Sequence, residues 1–220
     1  MAQWKPSEDK VLDPEEVKRL RSVLRGRAAE DVGKGRRRAV IRWAVIDVAL
    51  TAGLRVSEIA GLKVGDFRLN GSKPQLTVQH GKGGKSRTIP LIGPLSDLRK
   101  HLAEFVDWKG HAKEPTDPDA PLFASRLHGQ WQHYTPAALK AQFKKALRDT
   151  GIATGRYSIH CARHTAATVL YERTKDLRLV QDILGHSSPA VTAYYAAIVN
   201  GWAALAAAGE RGLYSDETAS

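Results

Sequence analysis

Six residues of this chain are of types that can act together on a phosphate group: two arginines, a lysine, two histidines and a tyrosine. Arg55 lies in the run Thr51-Ala52-Gly53-Leu54-Arg55-Val56-Ser57-Glu58, and Lys82 in Gly81-Lys82-Gly83-Gly84. His160 and Arg163 share His160-Cys161-Ala162-Arg163-His164, and His186 closes Leu184-Gly185-His186, with Tyr195 nine positions further on. Attack on a phosphodiester builds negative charge on the non-bridging oxygens, so fixed cationic donors there stabilise the transition state more than the ground state. Arginine suits this role because it stays charged and presents a planar fork to phosphate oxygens. A tyrosine with a pKa of about 10 is a poor nucleophile at neutral pH and needs a base or an electropositive pocket. Spacing adds geometry. His160 and Arg163 are three apart, so on a helix both project from one face toward a shared point. A straight helix would hold His186 and Tyr195 about 13 Å apart at 1.5 Å per residue, so the chain has to fold back between them. Gly185, Ser187, Ser188 and Pro189 supply that break.

Taken in this order, these motifs resemble those of the tyrosine recombinase or phage integrase family, over about residues 10 to 200. The resemblance implies that Tyr195 is the nucleophile of a site-specific DNA recombinase, forming a 3′-phosphotyrosyl link. It implies that Arg55, Lys82, His160, Arg163 and His186 activate the phosphate. Within that set, His160 is the candidate base, Lys82 the candidate acid at a hairpin tip, and His186 a donor to a phosphate oxygen. Tyr194 is the rival nucleophile and Lys85 the rival acid. The implied partner is double-stranded DNA, bound by a homo-tetramer, with a monomer in isolation left open. The implied fold is the family's catalytic domain, mainly α with one small antiparallel β-sheet. A type IB topoisomerase-like enzyme and a catalytically silent DNA-binding regulator are the alternatives.

Other chemistries fit less well. His160, Cys161 and His164 suggest zinc, but the chain has no further cysteine and adjacent helix positions do not converge on a metal. A P-loop would need glycine where Gln79 stands. A metal-dependent nuclease needs converging carboxylates, and only Glu58 lies beside the arginine and histidine motifs. No metal and no cofactor is therefore expected. Glu58 reads as a residue that holds a neighbouring arginine in place.

The elements that must position these groups are legible from caps and periodicity. Asp13, Pro14, Glu15 and Glu16 start a helix over about 13 to 30, which Gly33 and Gly35 end. An apolar helix follows from about Arg36 to Ala52, then a short one over Val56 to Leu62. A strand from Gln75 to about Gln79 and a return through Arg87, Thr88 and Ile89 read as a hairpin around Lys82. A helix from Pro94 to Trp108, a proline-containing loop over 110 to 121, and helices near 135–149, 158–173, 176–184, 189–197 and 200–208 complete the expectation.

With 34 Lys and Arg against 23 Asp and Glu, the net charge of +11 favours an anionic partner. One cysteine among 220 residues excludes an internal disulfide framework and suits a reducing cytoplasm, where a nucleoid-associated protein is expected. No run is long and apolar enough for a membrane span or signal peptide. Lys34, Arg36, Arg37, Arg38 and Arg42 form a stretch without acidic residues that reads as a phosphate-backbone contact zone. Lys140, Lys144 and Arg148 share one face of the helix near 135–149, and the resemblance implies that this helix enters the major groove. The expected organisation is an N-terminal extension over 1–10, a catalytic domain over 11–200, and a C-terminal helix and tail over 201–220 that contacts a neighbouring protomer or packs on its own domain. The family's N-terminal clamp domain has no counterpart here, which reads as a minimal or truncated form.

Overall fold

The computed structural model describes residues 11–79 and 86–185. Helix α1 (Pro14–Gly33) begins with a reciprocal cap: the backbone N–H of Glu16 donates to Asp13 Oδ1 at 2.8 Å, and that of Asp13 donates to Glu16 Oε2 at 3.1 Å. Its stripe of Val17, Leu20, Leu24 and Ala28 packs on α2 (Arg38–Thr51). Helix α2 is buried along nearly its whole length, which its apolar run Ala39-Val40-Ile41 and Ala44 to Leu50 anticipates. It is the central rod, touching α1, α3 (Val56–Gly61), α4 (Ser96–His111), α5 (Pro136–Asp149) and α6 (Ile159–Thr174). A charge inside this core ties three helices together. Asp47 on α2, 1% exposed, pairs with Arg21 of α1 and with His101 Nδ1 of α4 at 2.9 Å. Burial alone would raise its carboxyl, but Arg21 and His101 hold it below the ordinary range.

Strands β1 (Phe67–Arg68), β2 (Gln75–Val78) and β3 (Arg87–Pro90) form an antiparallel sheet in that order, with Leu76 opposite Ile89 and Val78 opposite Arg87. Leu76, Val78 and Ile89 face the core. The expected hairpin is therefore present, with β1 as an added edge strand. A second sheet corrects the expectation of only one. β4 (Ala124–Leu127) and β5 (Gln130–His133) pair antiparallel across His128 and Gly129, whose φ values are 48° and 79°. Two successive residues in the left-handed region make the tight turn that matches strand twist, and Gly129 removes the steric cost at one of them.

Helix α5 is capped by Thr135, which accepts from the Ala138 N–H, and buries Leu139, Phe143, Ala146 and Leu147. Helix α6 starts after Ser158, and α7 (Leu177–Leu184) is capped by Asp176, which accepts from the Leu179 N–H at 2.9 Å. Helix α7 ends at Gly185 with φ 65°, so the chain turns immediately before His186. The helices expected at 189–197 and 200–208 lie outside the described residues.

Gly53 joins α2 to the Arg55 segment at φ +61°, and a Cβ there would clash with Leu184 Cδ2 and lie 3.2 Å from the Ala166 Cβ. Helices α2, α6 and the end of α7 thus meet at a point that admits no side chain. Gly53→Ala is expected to cost about 2 kcal/mol or more through combined strain and overpacking. Urea unfolding of the variant beside the parent checks this, and equal midpoints would contradict it.

Candidate active site

The end of α7 is where the charged motifs converge. The last carbonyls of a helix have no partner within it, and here three successive ones each accept from a different arginine. Arg87 Nε donates to Ile183 O at 2.8 Å, Arg163 Nη2 to Leu184 O at 2.8 Å, and Arg55 Nη2 to Gly185 O at 3.2 Å. Arg163 also donates through Nη1 to Gly53 O at 2.7 Å, which fastens α6 to the turn before Arg55. Arg55 and Arg163, distant in sequence, therefore meet on one patch of backbone.

Glu58 organises the arginine side of this patch. Its Oε2 accepts from the backbone N–H of Arg55 at 2.8 Å and its Oε1 from Arg55 Nη1 at 2.9 Å. The same two oxygens accept from Arg87, Nη1 to Oε1 at 2.8 Å and Nη2 to Oε2 at 3.0 Å. Burial by itself would raise the Glu58 carboxyl, but these donors and the two guanidinium charges hold it down at about 2. Glu58 does hold an arginine in place, as its position suggested, and it holds two. Arg87 is not among the site residues that the sequence points to: it stands in the return strand close to Lys82, and nothing local signals a partner on α3.

His160 stands on the first turn of α6 and is exposed, whereas Arg163 is 7% exposed. Partial desolvation lowers the His160 pKa, and the positive charges of Lys140, Arg163 and Arg55 lower it further. The ring is thereby biased toward the neutral form that can accept a proton. The structure thus brings Arg55, His160 and Arg163 together, with Lys140 of α5 alongside. Lys82, His186, Tyr195 and the rival groups Lys85 and Tyr194 lie outside the described residues.

The basic residues divide into two groups. Lys34, Arg36, Arg38, Lys140 and Arg148 are exposed, and of these only Lys34 has a carboxylate partner among the described residues, Glu30 at 3.7 Å. The others named with them are engaged inside the protein. Arg42 is 6% exposed and pairs with Asp149 at 3.2 Å and Gln142 at 2.9 Å, which corrects its reading as a phosphate contact. Arg37 donates to Glu114 at 2.8 Å and to Ala124 O at 2.7 Å, with its guanidinium 4.9 Å from the centre of the Trp131 ring. Lys144 turns its ammonium onto the carbonyls of Thr154 and Tyr157, shaping the loop that leads into α6. Among the described residues no three His, Cys, Asp or Glu side chains are grouped to hold a metal ion, and no helix is long and apolar enough to cross a membrane.

A mainly helical domain with small antiparallel sheets, gathering arginines and a histidine at one helix end, has the architecture of a tyrosine recombinase catalytic domain. The chain matches the phage integrase family over residues 10–200 and belongs to that family. Tyrosine recombinase XerA of Pyrococcus furiosus is 33% identical over 186 residues, covering 84% of this chain and 56% of that protein. Tyrosine recombinase XerC of Methylobacterium nodulans is 35% identical over 152 residues, covering 69% of this chain and 44% of that protein. The chain thus spans about half the length of these curated relatives. The crystal structure of XerA recombinase has the same fold, with a TM-score of 0.66 at 25% identity, covering 90% of this chain and 66% of that one.

The charges around His160 set a pH limit that can be moved. Removing the Lys140 charge weakens the penalty on protonated imidazole, so the His160 pKa in Lys140→Gln rises toward the ordinary value of about 6.5. The neutral form is then lost at a higher pH as acid is added. An NMR titration of the His160 ring in the free protein reads this directly. An unchanged or lowered midpoint in the variant would contradict it.

Proposed function

We propose that this chain cleaves and rejoins double-stranded DNA at specific sites through a 3′-phosphotyrosyl intermediate. The observation that carries the reading is the convergence of Arg55 and Arg163 on successive carbonyls of one helix end, with His160 titrating under both charges. Two guanidiniums held in place before substrate arrives require no reorganisation when charge develops on a phosphate between them. In the proposed step Tyr195 Oη attacks the phosphorus, the bond to the 5′ oxygen breaks, and the phosphate becomes esterified to tyrosine. His160 takes the tyrosine proton, Lys82 gives a proton to the departing 5′ oxygen, and His186 donates to a non-bridging oxygen. Rejoining is the reverse, with a 5′ hydroxyl as nucleophile.

The cationic groups occupy the role that a divalent metal has in other phosphoryl transfers, so cleavage is expected to proceed fully in EDTA. Exchange between two duplexes requires four strand cleavages, and with one nucleophile per chain this favours a tetramer on DNA. Lys140 and Arg148 extend the basic surface along α5 beside His160, which supports α5 as the element that meets the bases. Arg36 and Arg38 stand at the opposite end of α2 from Arg55, about 20 Å away along a 14-residue helix, and Lys34 lies just before them. These three are proposed as more distant backbone contacts, about six base pairs away at 3.4 Å per pair.

A nicked duplex that releases a short 5′ fragment after attack traps the covalent adduct. Wild type is expected to form an adduct that survives denaturation, in EDTA as in magnesium, and Tyr194→Phe to retain it. Tyr195→Phe removes only the hydroxyl, and is expected to abolish the adduct while DNA binding changes by less than about twofold. Adduct in Tyr195→Phe but not in Tyr194→Phe would move the nucleophile by one residue. No adduct from wild type on cognate DNA would leave a DNA-binding regulator.

A further inference from the structure

Arg87 lies five positions after Lys82, at the point where the return strand β3 begins. Its side chain is largely enclosed, 13% exposed, against a Glu58 side chain that is 3% exposed. Among the described residues the hydrogen bonds of Arg87 lead to the candidate site: both Glu58 oxygens, and the Ile183 carbonyl at the end of α7. Packing adds a constraint. A Cβ built on Gly185 lies 3.0 Å from Arg87 Cδ and 3.2 Å from its Nε and Nη1, so the glycine before His186 is the residue that lets Arg87 lie flat against the chain.

Two physical consequences follow from this placement. A carboxylate 2.9 Å from Arg55 Nη1 would cancel most of the positive charge that Arg55 offers to a phosphate. With Arg87 on the same carboxylate, the group of three carries a net charge of one positive unit instead of zero. The bidentate pair also fixes the plane of the Glu58 carboxylate, which sets the direction in which it holds Arg55 Nη1. From these relations we propose that Arg87 is a positioning residue for strand cleavage, clamping Glu58 so that Arg55 stays aimed and charged toward the phosphate while tying strand β3 to the end of α7. This rests on the recombinase reading above.

The test is a double-mutant cycle read by single-turnover cleavage of the nicked duplex. Arg87→Gln is expected to slow cleavage by about tenfold or more, with the Kd for the same duplex within about threefold of wild type. Arg87→Lys keeps the charge but reaches Glu58 through one donor, and is expected to recover part of the rate. The deciding readout is the Arg55→Ala background, where an effect transmitted through Arg55 has nothing left to act on. There Arg87→Gln is expected to cost less than about threefold, whereas a general structural defect would cost the same factor in both backgrounds. A second readout replaces the scissile phosphate by a methylphosphonate. This removes the non-bridging charge that Arg55 is there to stabilise, so the penalty of Arg87→Gln is expected to shrink.

If Arg87→Gln fails to fold, Arg87→Lys carries the same cycle. Wild-type cleavage rates in both Arg87 variants, or penalties that multiply fully with Arg55→Ala, would overturn the proposal and leave the recombinase reading intact. Absence of adduct from wild type would overturn that reading, and this proposal with it.

Discussion

Three guanidiniums on three consecutive carbonyls at the end of α7 are the arrangement on which the site depends. A helix C-terminus carries unpaired carbonyls and partial negative charge, so it attracts cations without neutralising them as a carboxylate would. Arg55, Arg87 and Arg163 come from a loop before α3, from a strand and from α6, and a short helix of eight residues becomes their common anchor. Mutual repulsion among them is offset by a single carboxylate, Glu58, which serves two of the three. The remaining excess of positive charge is what a phosphate would complete. A dipole is the better anchor for this purpose, because it orients a guanidinium while leaving its charge available.

The anchor is only as rigid as the core beneath it. Helix α2 is sealed on nearly every side, and its buried Asp47 locks α1 and α4 to it through Arg21 and His101. An ion pair of this kind adds little net stability over apolar packing, but removing one partner leaves an unpaired buried charge, so it specifies a single packing of three helices. From that fixed rod the chain exits through Gly53, whose carbonyl holds Arg163 and whose bare Cα accepts Leu184. Core, arginine turn and α7 end are thus one continuous packing problem. A side chain at Gly53 would disturb all three together.

Arg55, His160 and Arg163 stand out as candidates in the sequence because each lies in a short local pattern whose spacing implies geometry, and the main helices are legible because their caps and apolar periods are local as well. What stayed hidden depends on distant partners. Arg87 carries no local sign that Glu58 lies opposite it, and the β4–β5 hairpin is specified by a His128-Gly129 turn whose first residue is an uncommon occupant of the left-handed region. The basic residues show the same limit from the other side. Periodicity placed Lys140, Lys144 and Arg148 on one face, but it could not show that Lys144 reaches the Thr154 and Tyr157 carbonyls. Nor could a run of cations around Arg36 show that Arg37 and Arg42 have carboxylates waiting on other elements.

That division among cations changes what the net charge of +11 means. Part of the basic content is held in ion pairs within the fold: Arg21 on Asp47, Arg42 and Arg27 on Asp149, Arg37 and Lys109 on Glu114. These five cations share three carboxylates, Asp47, Asp149 and Glu114, so most of their charge is met at short range and adds less to the field outside than their number suggests. The external field arises from cations such as Arg36, Arg38, Lys140 and Arg148, which have no carboxylate partner among the described residues. Lys140 belongs to both accounts, because its charge reaches His160 and lowers its pKa. A residue that helps to attract a polyanion therefore also keeps the candidate base deprotonated before the polyanion arrives. In the proposed complex, phosphate oxygens around Lys140 would offset its effect on the imidazole, and His160 would be a stronger base there than in the free protein. On that proposal, attraction and proton transfer would be coupled through one side chain on α5.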